Sequence, residues 1–103
     1  MPDERSRLND ILDQVPTSSH VLVQTIAACA ISAFERRWPG EAEDMAAIVC
    51  GRWVRKRLPV YEDALAPAEA HYIDRLINAA YAELDDERIR ATEQLFEELF
   101  REG

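Results

Sequence analysis

The sequence predicts an all-α fold, a small bundle of four to five helices in which residues 1–103 form a single domain. Apolar side chains recur at helical spacing along most of the chain, and no window of four or more residues alternates as a half-buried strand does. Only three glycines and five prolines interrupt these segments. A chain of this length buries roughly 65% of its unfolded surface, which is enough for one core.

The first two helices are separated by Pro16. A stripe with i, i+3, i+4, i+7 spacing predicts the first helix, from about Asp3 to Val15, and consists of Leu8, Ile11, Leu12 and Val15. Pro16 ends this helix. The second helix is predicted over 19–38, with side-chain oxygens available to cap its free N–H groups on Thr17, Ser18 and Ser19.

A compact turn, Trp38-Pro39-Gly40, precedes a third helix predicted over 41–58. Acidic side chains in its first turn and basic side chains in its last turns complement the helix dipole. The helices 19–38 and 41–58 therefore form a central helical hairpin. This hairpin would let Cys29 and Cys50 face each other across the two helices. The alternative is that both are small core residues, as free cysteines usually are.

The last part of the chain is predicted to contain a fourth helix that breaks. Pro59 ends the third helix, residues 60–66 form a short connector, and Pro67 takes the first position of the fourth helix. Two apolar stripes follow, about 100° apart around the helix axis. One straight helix cannot present both to the same core, so we expect a bend or break at residues 85–87. The stripes consist of Ile73, Leu76, Ile77, Ala80, Tyr81 and Leu84, and of Ile89, Leu95, Phe96, Leu99 and Phe100.

The net charge of −8 lies entirely in the C-terminal half. Residues 1–61 carry eight acidic and eight basic side chains, whereas residues 62–103 carry twelve acidic side chains and four arginines. Such a surface repels phosphate backbones. Direct nucleic-acid binding is therefore disfavoured, and docking to a basic protein is permitted.

The second helix is apolar over more than half of its circumference. The strip that contains its polar side chains comprises Val21, Gln24, Thr25, Ala28, Ser32 and Glu35. A surface helix needs an apolar stripe of only about 100°. Either this helix is the central member of the bundle, or it packs on its own bundle with one face and on a second protein with another. We expect the second arrangement. The predicted partner or dimer interface consists of Leu22, Ile26, Ala30, Ala33, Phe34 and Trp38, with Trp53 as an outer anchor.

The sequence offers few candidates for catalysis or metal binding. His20 and His71 each begin a helix, without a carboxylate, cysteine or second histidine at metal-binding spacing. No phosphate-binding glycine motif or nucleophile motif is present. Arg75 is the one cation within an apolar stripe, and Asp74 beside it favours a surface ion pair. We therefore expect no catalytic residue, no metal and no cofactor.

The basic run "RWVRKR", residues 52–57, has two interpretations. It is either a solvated helix end with Trp53 turned inward, or a contact for an anion or an acidic protein through Arg52, Arg55 and Lys56.

The N-terminus and the apolar run predict a cytoplasmic protein without a membrane segment. The opening "MPDERSRLND" is charged and lacks a hydrophobic signal region. The apolar run 21–34 is shorter than the ~20 residues that cross a bilayer.

Three stretches, "RLNDILDQVP", "VLVQTIAACAISAFERRWPG" and "AAIVCGRWVRKRLP", in a small acidic helical chain resemble the QslA-type quorum-sensing antiactivators. The resemblance is one of overall pattern and spans nearly the whole chain. It implies a cytoplasmic bacterial homodimer that binds a LuxR-type transcription factor and prevents its dimerisation and DNA binding. The alternative is a toxin-neutralising immunity protein, or another helical adaptor without catalytic activity, because these proteins are also small, acidic and helical.

Overall fold

The described residues of the computed structural model, 6–57 and 67–101, contain five α-helices and no strand. The helices are α1 (Arg7–Asp13), α2 (Thr17–Glu35), α3 (Ala42–Arg57), α4 (Pro67–Ala82) and α5 (Asp86–Arg101). The predicted all-α bundle is therefore confirmed. Part of the predicted first helix (residues 3–5), residue 58, Pro59 and the predicted connector 60–66 lie outside the described residues.

The caps of the first two helices differ from each other. The Ser6 hydroxyl caps α1 by accepting a hydrogen bond from the backbone N–H of Asn9 at 3.1 Å. In α2 the cap position is Pro16 and no side chain caps it, so the predicted capping by the three following hydroxyl residues was wrong. The helix begins two residues earlier than predicted, which places those residues inside its first turn. His20 Nε2 donates a hydrogen bond to the Val15 carbonyl at 2.8 Å, and this bond joins the first turn of α2 to the residues that follow α1.

The hairpin of α2 and α3 is present, and its turn depends on Gly40. This residue has a φ of +85°. A residue with a Cβ adopts such a φ only at a cost in free energy. Two backbone bonds to the Phe34 carbonyl close the end of α2, including one from Trp38 N–H at 2.8 Å. The Glu41 N–H then bonds to the Trp38 carbonyl at 3.0 Å, just before α3 begins.

The central member of the bundle is α3, not α2. It packs against all four other helices, and every residue from Met45 to Gly51 is buried. Seven consecutive residues cover about two helical turns, so this part of α3 is enclosed on all sides. The possibility that α2 is the central helix is therefore wrong, because α2 is the outer helix of the hairpin and one of its sides is exposed.

The helical segment is interrupted between α4 and α5, at the place where the sequence predicted a bend or break. α4 ends at Ala82 and α5 begins at Asp86. The Asp85 carboxylate accepts a hydrogen bond from the Arg88 backbone N–H at 3.0 Å, which caps the new helix. The break turns both stripes toward the core, where Ile73 and Phe96 are buried.

Candidate protein-interaction face

The two sides of α2 differ sharply in exposure. The inner side packs into the core and consists of Ser19, Val23, Ile26, Ala27, Ala30 and Phe34. The opposite side is exposed over about half of the helix circumference. We define the outer face of α2 as Val21, Leu22, Thr25, Ala28, Cys29, Ser32 and Ala33, all of them exposed.

The outer face of α2 is uncharged. From Thr17 to Phe34 the sequence contains no Asp, Glu, Lys or Arg. The Thr25 hydroxyl donates to the Val21 carbonyl at 2.8 Å, so this hydroxyl bonds within the helix. Val21 is 73% exposed and Leu22 is 47% exposed. An exposed half-helix without a charge is unusual in a chain that is 31% charged, and uncharged apolar patches of this kind typically mark interaction sites.

The structure divides the seven predicted interface residues into two groups. Leu22 and Ala33 lie on the outer face of α2. The other five are buried in the chain's own core and are Ile26, Ala30, Phe34, Trp38 and Trp53. Their placement on a surface was wrong, because the side of α2 that carries its largest apolar residues packs on α3. Trp53 is turned inward, and it is not an outer anchor.

The polar strip of α2 was the signal that sequence reasoning did not use. The strip contains Thr25 and Ser32, and these two residues lie near the middle of the exposed side. Between Val21 and Phe34, where α2 has no charged residue, the two hydroxyl side chains indicate which side faces away from the core. Val21, Ala28 and Cys29 lie in or next to that strip, and the predicted interface omitted them.

The two cysteines do not face each other. Cys29 is exposed on the outer face of α2, whereas Cys50 is buried in α3. The Cys50 Sγ lies 3.9 Å from the Val23 carbonyl, and burial raises the pKa of this thiol to about 12. The interpretation of both cysteines as core residues therefore holds for Cys50 alone.

The described residues contain no group of three or more histidine, cysteine or acidic side chains that could hold a metal ion. His20 bonds to a backbone carbonyl, and His71 is exposed on α4. Arg75 is also exposed, and its neighbour Asp74 pairs with Arg55 of α3 at 2.8 Å.

α2 is the one helix in the described ranges that is long and apolar enough to cross a membrane by length and composition. It has 19 residues, and its most apolar window has a mean hydropathy of 1.3. Core helices of soluble proteins meet the same criteria. That window is 28% buried, because only the inner side of α2 packs on α3.

A search of protein-family models, of curated proteins and of solved structures finds no match to this chain.

Proposed function

We propose that this protein acts by binding another protein through the outer face of α2. The observation that carries the proposal is the absence of charge over four exposed turns of a helix whose inner side is already packed. Covering Val21 and Leu22 would remove apolar area from water, at roughly 25 cal/mol per Å². A partner that covers this face leaves no unpaired charge buried in the interface, because the face contains no charged residue.

For the partner we propose a LuxR-type transcription factor, as the resemblance implies. Binding would prevent the factor from dimerising and from binding its promoter, with no catalysis and no cofactor. The acidic charge of residues 62–103 supports this partner class, since it attracts a basic DNA-binding protein while repelling DNA itself.

The test uses matched glutamate substitutions. Ala33→Glu and Leu22→Glu place a charge on the outer face of α2, and Ala79→Glu places the same charge on an exposed position of α4. Each variant is mixed with purified LuxR-type activators, and both complex formation and promoter binding by the activator are measured. We expect both outer-face variants to lose at least about tenfold in affinity, and Ala79→Glu to bind as the native chain does.

Two results would contradict the proposal. Equal affinity of all three variants would show that the outer face of α2 is not the contact. Binding of a basic nuclease toxin, with no binding to any LuxR-type activator, would favour the immunity protein instead.

A further inference from the structure

A groove between α3, α4 and α5 has features that the outer face of α2 lacks. Its volume is about 460 Å³, within the size range of small-molecule sites. The apolar residues in its lining are Ile77 of α4 and Phe96 of α5, both mostly buried. We call this cavity the α3–α4–α5 groove.

Three cations of α3 line one side of the groove. Arg52, Arg55 and Lys56 are spaced i, i+3, i+4, which places them on the same face of the helix. The Arg52 guanidinium lies 4.1 Å from the centre of the Phe96 ring, and the Lys56 ammonium lies 5.1 Å from the centre of the Phe100 ring. The positive charge of α3 therefore lies against the aromatic rings of α5.

Two of these cations are neutralised by carboxylates across the groove. Arg55 pairs with Asp74 at 2.8 Å, and Arg52 pairs with Glu93. The Glu93 carboxylate also accepts a hydrogen bond from the Tyr81 hydroxyl at 2.5 Å. Burial raises the pKa of Glu93, but the bonds from Tyr81 and Arg52 outweigh it and leave the pKa below its ordinary value. Glu93 is therefore ionised at neutral pH.

Lys56 is the remaining cation. Its side chain is exposed, and within residues 6–57 and 67–101 no acidic side chain forms a salt bridge with it. Among the residues that the structure describes, the groove lining thus has three positive and two negative side chains, in a chain whose net charge is −8. A ligand with one negative charge would balance it, whereas a polyanion would meet Asp74, Glu93 and the acidic field of the chain.

We propose that the α3–α4–α5 groove binds an organic monoanion with an apolar body, such as an aromatic or alkyl carboxylate. The anionic group contacts Lys56, with Arg55 beside it, and the apolar body rests on Ile77 and Phe96. This site is separate from the outer face of α2, and it does not depend on the proposed protein partner.

The test uses two dyes of similar shape. Anilinonaphthalene sulfonate carries one negative charge, and N-phenylnaphthylamine carries none; both fluoresce when they leave water. Each dye is titrated into the native protein and into Lys56→Gln, with Arg75→Gln as the control that removes one exposed cation from α4. We expect the sulfonate to bind, and to bind about fivefold more weakly to Lys56→Gln but not to Arg75→Gln. The uncharged dye should bind the native protein and Lys56→Gln equally.

Several outcomes would overturn the proposal. These are no binding of the sulfonate, equal affinity of the native protein and Lys56→Gln, or loss of the signal in Leu22→Glu, which would place the dye on the outer face of α2. Amide chemical shifts give a second readout, since the changes should map to α3, α4 and α5. Displacement of the dye by phenylpropionate or by octanoate then distinguishes an aromatic from an alkyl ligand. The dye titration contains no partner protein, so its failure leaves the proposed function unaffected.

Discussion

At the scale of single residues, Gly51 determines how closely α3 and α4 approach. A Cβ at this position would lie 2.8 Å from the Ile77 Cγ1 atom and 3.2 Å from the Ile11 Cδ1 atom. The first distance is shorter than a van der Waals contact, and Gly51 is fully enclosed in α3. The absence of a side chain here is therefore a packing requirement.

We expect Gly51→Ala to lower the free energy of unfolding by up to about 2 kcal/mol, which is the overpacking cost less the gain in helix propensity. Alanine favours the helix by about 1 kcal/mol, but overpacking a core costs about 1–3 kcal/mol. Urea unfolding measures the difference. In the Ile77→Ala background the same substitution should cost less, because the clashing side chain is gone. A Gly51→Ala protein more stable than the native one would contradict the observed packing.

The two thiols should react at very different rates. Thiolate is the reactive form, and Cys50 is both inaccessible and shifted to a pKa of about 12, whereas Cys29 is exposed. In dilute monomeric protein, where no second chain covers the outer face of α2, a thiol reagent at pH 8 should therefore label one cysteine per native chain and two per unfolded chain. Cys29→Ser should abolish the native labelling. Rapid labelling of Cys50 in the folded protein would show that α3 is less enclosed than described.

At the scale of elements, the two sides of α2 predict opposite effects of one substitution. Ala30 is fully buried against α3, and a glutamate there would place a charge in the core at a cost of several kcal/mol. Because small domains are stable by only about 5–15 kcal/mol, we expect Ala30→Glu to be largely unfolded. Ala33→Glu, three residues away on the exposed side, should retain the native helical content.

Circular dichroism and thermal unfolding compare these two variants directly. Equal loss of structure in both would mean that α2 is covered on all sides, as a central helix would be. The pair also separates a folding defect from a binding defect in the partner experiment, since only Ala33→Glu is expected to lose binding while folded.

Most elements were predictable from the helical periodicity of apolar residues and from the residues that end or start helices. The start of α4 at Pro67, the turn at Gly40 and the break before Asp86 follow from local backbone chemistry, and the structure confirms each. The orientation of α2 was not predictable in the same way. Its inner and outer sides are both uncharged, so hydropathy alone does not say which side packs on α3. Five of the seven predicted interface residues are consequently buried in the core, and only Leu22 and Ala33 lie on the exposed side.

At the scale of the whole molecule, ion pairs join the two halves of the chain. Arginines between residues 7 and 57 pair with acidic side chains that follow residue 66: Arg7 with Glu83, Arg37 with Glu87, Arg52 with Glu93, and Arg55 with Asp74. Exposed pairs of this kind contribute about 0–1 kcal/mol each. Their main consequence is electrostatic, because they neutralise part of the charge of the acidic half.

We also expect the protein to be a homodimer that buries the outer face of α2. Two chains of net charge −8 repel each other least when they meet through an uncharged surface. Light scattering under reducing conditions should then give about twice 11.8 kDa, and Leu22→Glu should give 11.8 kDa. Tyr72→Glu, which adds a charge to exposed α4, is the control. A native mass of 11.8 kDa at every concentration would exclude the dimer.

Self-association and partner binding through one face are mutually exclusive. A partner that uses the outer face of α2 must therefore compete with the dimer, and its apparent affinity should rise on dilution of the protein. An affinity independent of dilution would place the partner elsewhere on the molecule.

The sequence by itself determined the all-α class, the break before α5, the hairpin turn and the charge asymmetry, because each depends on contacts within a few residues or on composition. Only the tertiary structure decided that α3 is central, that α2 exposes its hydroxyl strip, and that Cys29 and Cys50 lie apart. These features depend on which apolar surfaces fill the same space. Both α2 and α3 contain a long apolar stretch, and local sequence does not say which of the two is enclosed; in the fold, Gly51 of α3 packs against Ile77 and Ile11, and α3 takes the centre.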